Sequence, residues 1–149
     1  MAGQTSAERS AAVDDQPRDG WGRWTASAGA ASAAIGDAIS SADSAKSWKN
    51  PAARMKLSAL KGKYDTISRL KAPPLDSKGF FKDSFMSEYH SAWDMRSAFD
   101  DAEKDIDDGT RLFGANDEAK VAAAKAFKKA KQRYATAYST YTDPSISPD

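Results

Sequence analysis

The sequence predicts an all-α protein, folded as an antiparallel four-helix bundle with a flexible N-terminal arm and a short C-terminal tail. Alanine is the most frequent residue, at 29 of 149 positions, whereas valine occurs only at Val13 and Val121. Helices favour alanine, and strands favour β-branched and aromatic residues. Apolar and small residues also recur at steps of three and four positions in four stretches, which places them on one face of a helix. Short linkers between such stretches favour antiparallel neighbours.

The first predicted helix runs from Trp24 to Lys49 and is unusual because its apolar face consists mostly of methyl groups. That face contains Trp24, Ala28, Ala31, Ile35, Ala38, Ala42 and Ala45. Residues 1–20 are small, polar and aperiodic, which is typical of a flexible arm. We therefore expect an arm over residues 1–20, a helical bundle over residues 21–142 and a tail over residues 143–149.

Three further helices are predicted, at Pro51–Lys71, Ser77–Asp108 and Asp117–Tyr141. Asn50 is a good N-cap for the second helix, and a proline suits the first helical position after it. Apolar residues repeat at helical spacing in all three, and they include Leu57, Leu60, Tyr64, Ile67, Phe85, Tyr89, Phe99, Ile106, Phe127, Ala130 and Tyr134. These side chains predict the core of the bundle.

The alanine-rich stretch from Trp24 to Ser40 raises the question of a membrane span. Alanine and serine are only weakly hydrophobic, and Asp37 interrupts the stretch, so spanning is disfavoured. The first twenty residues contain no apolar run, which disfavours a secretory signal or a typical transit peptide. We expect a cytoplasmic protein; a virion component, or a protein exported without a cleavable signal, is the alternative.

Charge alternates along the chain although the formal net charge is only +1. Residues 51–75 carry a net charge of +5, residues 76–118 of −7 and residues 119–149 of +4. In a bundle, the acidic segment would pair with both basic helices, which favours correct neighbours. The alternative is that the basic helix 120–133 binds the phosphates of nucleic acid or of an anionic membrane surface. Its candidate residues are Lys125, Lys128, Lys129, Lys131 and Arg133.

Motifs for enzyme chemistry are not found. His90 is the only histidine, and Asp94 one turn later makes a weak candidate dyad with it, although a partly exposed helix histidine is commoner. The acidic run around Gly109 fails the EF-hand pattern, because Lys104 and Ile106 occupy ligand positions. Without cysteine, thiolate metal sites are excluded. We therefore expect a protein that is not an enzyme and has no cofactor or metal.

The function favoured by these patterns is that of a structural or adaptor protein, acting through helix–helix contacts in a larger assembly. Its partner is another protein or a second copy of the chain. The predicted contact residues are Trp21, Trp24, Ala28, Ala31, Ile35 and Ala38. The two tryptophans either clamp the arm onto the bundle or anchor a partner. A further alternative is a small-ligand carrier with an aromatic pocket lined by Phe85, Tyr89, Trp93, Tyr134 and Tyr138.

Overall fold

The computed structural model describes residues 16–70, 77–80, 82–111 and 114–141, apart from the side chains of residues 16–21, 84, 111, 114, 115, 140 and 141. The elements in chain order are α1 (Gln16–Ser44), α2 (Pro51–Ser68), α3 (Asp83–Asp94), α4 (Ala98–Asp105), β1 (Thr110–Arg111), β2 (Gly114–Ala115) and α5 (Glu118–Tyr141). The predicted all-α class is confirmed. The predicted tail and residues 1–15 of the predicted arm lie outside the described residues.

Side-chain contacts show that α1 runs antiparallel to both α2 and α5. On one side, the Ser32 hydroxyl donates a hydrogen bond to Asp65 near the end of α2, and Asp43 pairs with an arginine near its start. On the other side, the Ser27 hydroxyl donates to the carbonyl of Ala137 near the end of α5, and Asp37, later in α1, pairs with Arg133, earlier in α5. Helix α1 is therefore packed along two neighbours at once.

The acidic segment formed by α3 and α4 completes the bundle between α2 and α5. Lys63 of α2 pairs with Glu88 of α3 at 3.7 Å. Lys131 of α5 pairs with Asp100 and Glu103 of α4 at 2.7 and 2.6 Å. The order of these contacts along the helices fits an up-down-up-down arrangement.

Large apolar side chains from every helix meet in one core. Phe99 of α4 lies against Phe127 and Tyr134 of α5, with ring centroids 5.2 and 5.0 Å apart. Trp24 of α1 stacks on Phe85 of α3 at 5.1 Å. Leu57, Leu60, Tyr64 and Ile67 of α2 are all fully buried. The predicted core residues that the structure describes are thus brought together.

Helix α1 begins at Gln16, earlier than predicted, and ends at Ser44, earlier than the predicted Lys49. A proline at the second position does not oppose this start, because the first turn of a helix lacks internal N–H bonds. At the other end, Lys46 adopts a left-handed φ of 53° and turns the chain. Asn50 then caps α2 as predicted, its Oδ1 accepting from the Ala52 amide at 2.9 Å.

The predicted continuous helix Ser77–Asp108 is wrong, because a turn over residues 95–97 divides it into α3 and α4. Arg96 falls where the helical spacing would point it inward. It lies instead over the exposed Trp93 ring, at 4.7 Å, and donates to the Trp93 carbonyl. The turn keeps the guanidinium at the surface and brings Ala98 and Phe99 into the core.

Beyond α4, a small hairpin leads into α5. Strand β1 pairs antiparallel with β2, with Thr110 opposite Ala115. Gly109 is in the left-handed conformation (φ 83°) and lies beyond the end of α4, at the start of the hairpin. A Cβ at this position would lie 2.7 Å from the Asp117 carbonyl oxygen and 2.8 Å from a methyl carbon of Val121.

Substituting Gly109→Ala therefore should destabilise the protein by more than the roughly 1–2 kcal/mol that a left-handed alanine costs. Gly62→Ala is the matched control, since Gly62 lies within α2 with nothing within 4 Å of the added Cβ. We expect the control to stabilise by about 0.5–1 kcal/mol. Urea denaturation measures the unfolding free energy of both variants. Equal values would contradict the conclusion that position 109 requires glycine.

Candidate interaction surfaces

The predicted contact face of α1 is buried inside the protein's own bundle. Ala28, Ala31, Ile35 and Ala38 are 0% exposed and Trp24 is 6% exposed. The Trp21 side chain lies outside the described residues. These buried residues therefore pack against α2, α3 and α5 of the same chain, and a partner reaching α1 meets a different face.

That other face, which we call the outer face of α1, consists of Arg23, Ala26, Ala30, Ala33 and Asp37, all of them exposed. Together with Ser27 and residues 133, 136 and 137 of α5, its first four residues line an open groove of about 650 Å³. Asp37 accepts an ion pair from Arg133 at 2.8 Å, but the two side chains remain 63% and 55% exposed. The groove is therefore lined by small side chains, with an exposed charge near each end.

The five candidate anion-binding residues of α5 do not form one surface. Lys131 is held by Asp100 and Glu103, whose hydrogen bonds raise its pKa. Arg133 pairs with Asp37. Lys125, Lys128 and Lys129 are exposed and have no ion pair with any described carboxylate. The C-terminal part of the basic stretch is thus used within the fold, and its N-terminal part is available.

Two of the available lysines line a cleft that the sequence did not indicate. It has a volume of about 620 Å³ and lies between α4, α5 and the α1–α2 connection. Its lining includes Lys49, Lys104, Lys125 and Lys128, and we call it the lysine cleft. The pair on α5 shows the helical i, i+3 spacing, but no sequence pattern links Lys49 to Lys104.

The candidate aromatic pocket is occupied by the aromatic rings themselves. Tyr89 lies against Trp24 and Trp93, at centroid distances of 6.0 and 6.4 Å. Tyr138 lies against Trp93 and Tyr134, at 5.7 and 5.9 Å. These contacts join the cluster to the core, with Trp93 exposed at its edge, and of the five residues Tyr134 and Tyr138 line a neighbouring pocket of about 390 Å³.

His90 does not pair with Asp94: among the described residues it makes a ring contact with Tyr89 at 5.6 Å and no hydrogen bond. Within the same residues, no group of three His, Cys, Asp or Glu side chains is placed to hold a metal ion. None of the described helices combines the length and hydropathy that crossing a bilayer requires. Comparison of the chain with protein-family profiles, curated proteins and solved structures finds no significant match.

One buried polar contact has a pH-dependent consequence. The Tyr64 and Tyr134 hydroxyls lie 3.2 Å apart in the core. Burial raises the pKa of Tyr134 from 10.0 to about 12, against a smaller opposing effect of the hydrogen bond. Between these pH values the unfolded chain releases the Tyr134 proton and the folded chain retains it, so stability falls as pH rises.

We expect Tyr134 alone to lower the unfolding free energy by about 2 kcal/mol between pH 10 and pH 12. Tyr134→Phe should be less stable than the wild type at pH 8 but show a shallower loss above pH 10. Tyr89→Phe is the control, because Tyr89 is less buried than Tyr134. It should reduce the dependence of unfolding free energy on pH by a smaller amount. Denaturant titrations at several pH values measure this; identical slopes for wild type and Tyr134→Phe would refute it.

Proposed function

We propose that this protein is a non-enzymatic structural or adaptor protein that acts through helix–helix contacts, and that its outer α1 face pairs with the same face of a second copy. The observation that carries the proposal is the symmetry of that face. Arg23 and Asp37 each lie seven residues from Ala30, with Ala26 and Ala33 between them. An antiparallel second α1, centred on Ala30, would therefore place each Arg23 opposite the other copy's Asp37.

Such pairing is self-complementary, as a two-fold homodimer requires. Alanine side chains allow close approach of helix backbones, and the groove beside α5 offers space for the second helix. Arg23 and Asp37 are both exposed, and Asp37 accepts from Arg133 of its own chain through Oδ2, so its Oδ1 remains for the Arg23 of a second copy. The role in a larger assembly, and a location in the cytoplasm or alternatively in a virion or outside the cell, are part of the same proposal.

Binding of nucleic acid or an anionic membrane along the whole helix 120–133 has less support. It would require Lys131 and Arg133 to leave their ion pairs with Asp100, Glu103 and Asp37. An enzymatic role likewise has little support, because the one histidine has no carboxylate partner among the described residues.

The proposal predicts that the protein is dimeric and that charge reversal controls pairing. Arg23→Asp and Asp37→Arg should each weaken the dimer, because like charges would then meet twice across the two-fold axis. An equimolar mixture of the two variants should associate again, since each would offer the opposite charge to the other. Light scattering over a concentration series measures the mass. Failure of the mixture to associate, when the wild type does, would exclude the antiparallel register.

Ala30→Glu tests the centre of the face, because it brings two carboxylates together on the axis. Ala59→Glu on the exposed side of α2 is the matched control and should leave the mass unchanged. A wild type that remains monomeric at the highest concentrations would overturn the proposal. Deleting α1 would not serve as a test, because the deletion also removes the buried residues Ala28, Ala31 and Ile35 from the core.

A further inference from the structure

The lysine cleft concentrates positive charge at one end of the bundle. Lys104 comes from the last turn of α4, Lys125 and Lys128 come from one side of α5, and Lys49 comes from the connection between α1 and α2. None of the four forms an ion pair with a described carboxylate. Four like charges on one concave surface repel one another, so their placement does not stabilise the fold.

Two of the three carboxylates in the same cleft already form ion pairs with lysines that lie outside it. Glu103 is paired with Lys131, whose Nζ lies 2.6 Å from its Oε1. Asp107 is paired with Lys120 at 2.9 Å. Both acids therefore share their charge with a lysine outside the cleft, and Lys131 also pairs with Asp100.

Asp108 is the remaining acid of the cleft. The hydroxyl and the backbone amide of Thr110 both donate to its Oδ1, and these hydrogen bonds lower its pKa. Asp108 therefore stays ionised and offsets part of the positive charge. When the outside partners Lys120, Lys131 and Asp100 are counted with the lining, six lysines face four carboxylates, which leaves the site electropositive with a net charge of +2.

Backbone contacts hold the pieces of the cleft in place. Asp105 accepts hydrogen bonds from the amides of Lys49 and Asn50, at 3.2 and 3.1 Å. The Asp107 amide donates to the Ser47 carbonyl at 2.7 Å. The backbone of the connection that carries Lys49 is thus fixed to the end of α4, so the segments that bear the lysines are in place before any ligand arrives. Such preorganisation lowers the entropic cost of binding.

We propose that the lysine cleft binds a small soluble anion with adjacent phosphate groups. Its volume of about 620 Å³ lies within the usual range of small-molecule sites. Lysine ammonium groups bind phosphate oxygens through charge-assisted hydrogen bonds. Several lysines around one concave site favour a ligand with more than one phosphate over a single monoanion. The inference does not depend on the proposed dimer, which uses a different surface.

Inorganic tripolyphosphate is a suitable probe, titrated calorimetrically into the full-length protein at low salt. We expect saturable one-to-one binding that weakens as salt is added. Lys125→Gln, Lys128→Gln and Lys104→Gln should each lower the affinity by about tenfold. Asp108→Asn should raise it, because the substitution removes the unpaired negative charge but keeps the Oδ1 acceptor for Thr110.

Lys129→Gln is the matched control, since it removes the same charge from the next position of the same helix but does not line the cleft. The affinity of this variant for tripolyphosphate should stay within about twofold of the wild-type value if binding is confined to the cleft. An equal loss in Lys128→Gln and Lys129→Gln would indicate a diffuse electrostatic attraction and overturn the proposal. Absence of saturable binding would overturn it as well.

Vesicles that carry phosphoinositide headgroups distinguish a lipid from a soluble ligand. Retention on these vesicles without saturable binding of tripolyphosphate would assign the surface to a membrane and contradict the proposal. Binding of tripolyphosphate with equal affinity in the presence and absence of vesicles would support it. Circular dichroism of each variant checks that its helices remain folded.

Discussion

Close approach of α1 to its two neighbours is the constraint on which the rest of the bundle depends. Methyl-sized side chains at Ala28, Ala31 and Ala38 are fully buried, and a Cβ added at Gly36 would lie 3.2 Å from Cε of the Lys61 side chain of α2. Larger residues at these positions would push α1 away from α2 and α5 and loosen its packing against both helices. Because α1 is thin, aromatic residues of α2, α3, α4 and α5 can meet on its inner side and form one core.

This arrangement also separates the residues that stabilise the bundle from the residues that remain accessible to another molecule. The buried face of α1 packs against α2 and α5, so only the outer face of α1 can contact another molecule. Charged residues divide in a similar way. Lys120, Lys131 and Arg133 pair with carboxylates of neighbouring segments, whereas the lysines of the cleft do not. An exposed ion pair such as Arg133–Asp37 contributes about 0–1 kcal/mol, so it selects the neighbouring helix more than it stabilises the fold.

The sequence alone predicts the helices best where one physical effect dominates. Asn50 and Pro51 define the start of α2 because capping and the fixed proline φ act together. Arg96 marks a fault in the apolar spacing, but spacing alone does not say whether the arginine lies flat on a continuous helix or the helix breaks. The lysine cleft could not be predicted from the sequence, for a different reason. Lys49 and Lys104 are distant in sequence, and the hydrogen bonds of Asp105 and Asp107 to the α1–α2 connection bring them together.

Periodicity identified the face of α1 that packs but not what it packs against, because the same methyl seam suits a helix of the same chain or of another copy. The structure assigns the seam to the bundle itself, and this assignment changes which residues are informative about function. Buried apolar residues are explained by folding. Folding does not explain the exposed alanines that lie between opposite charges seven residues on either side of Ala30, or the cleft lysines that have no ion pair with a described carboxylate. Surfaces that the fold does not need are therefore where the function of this protein is to be sought.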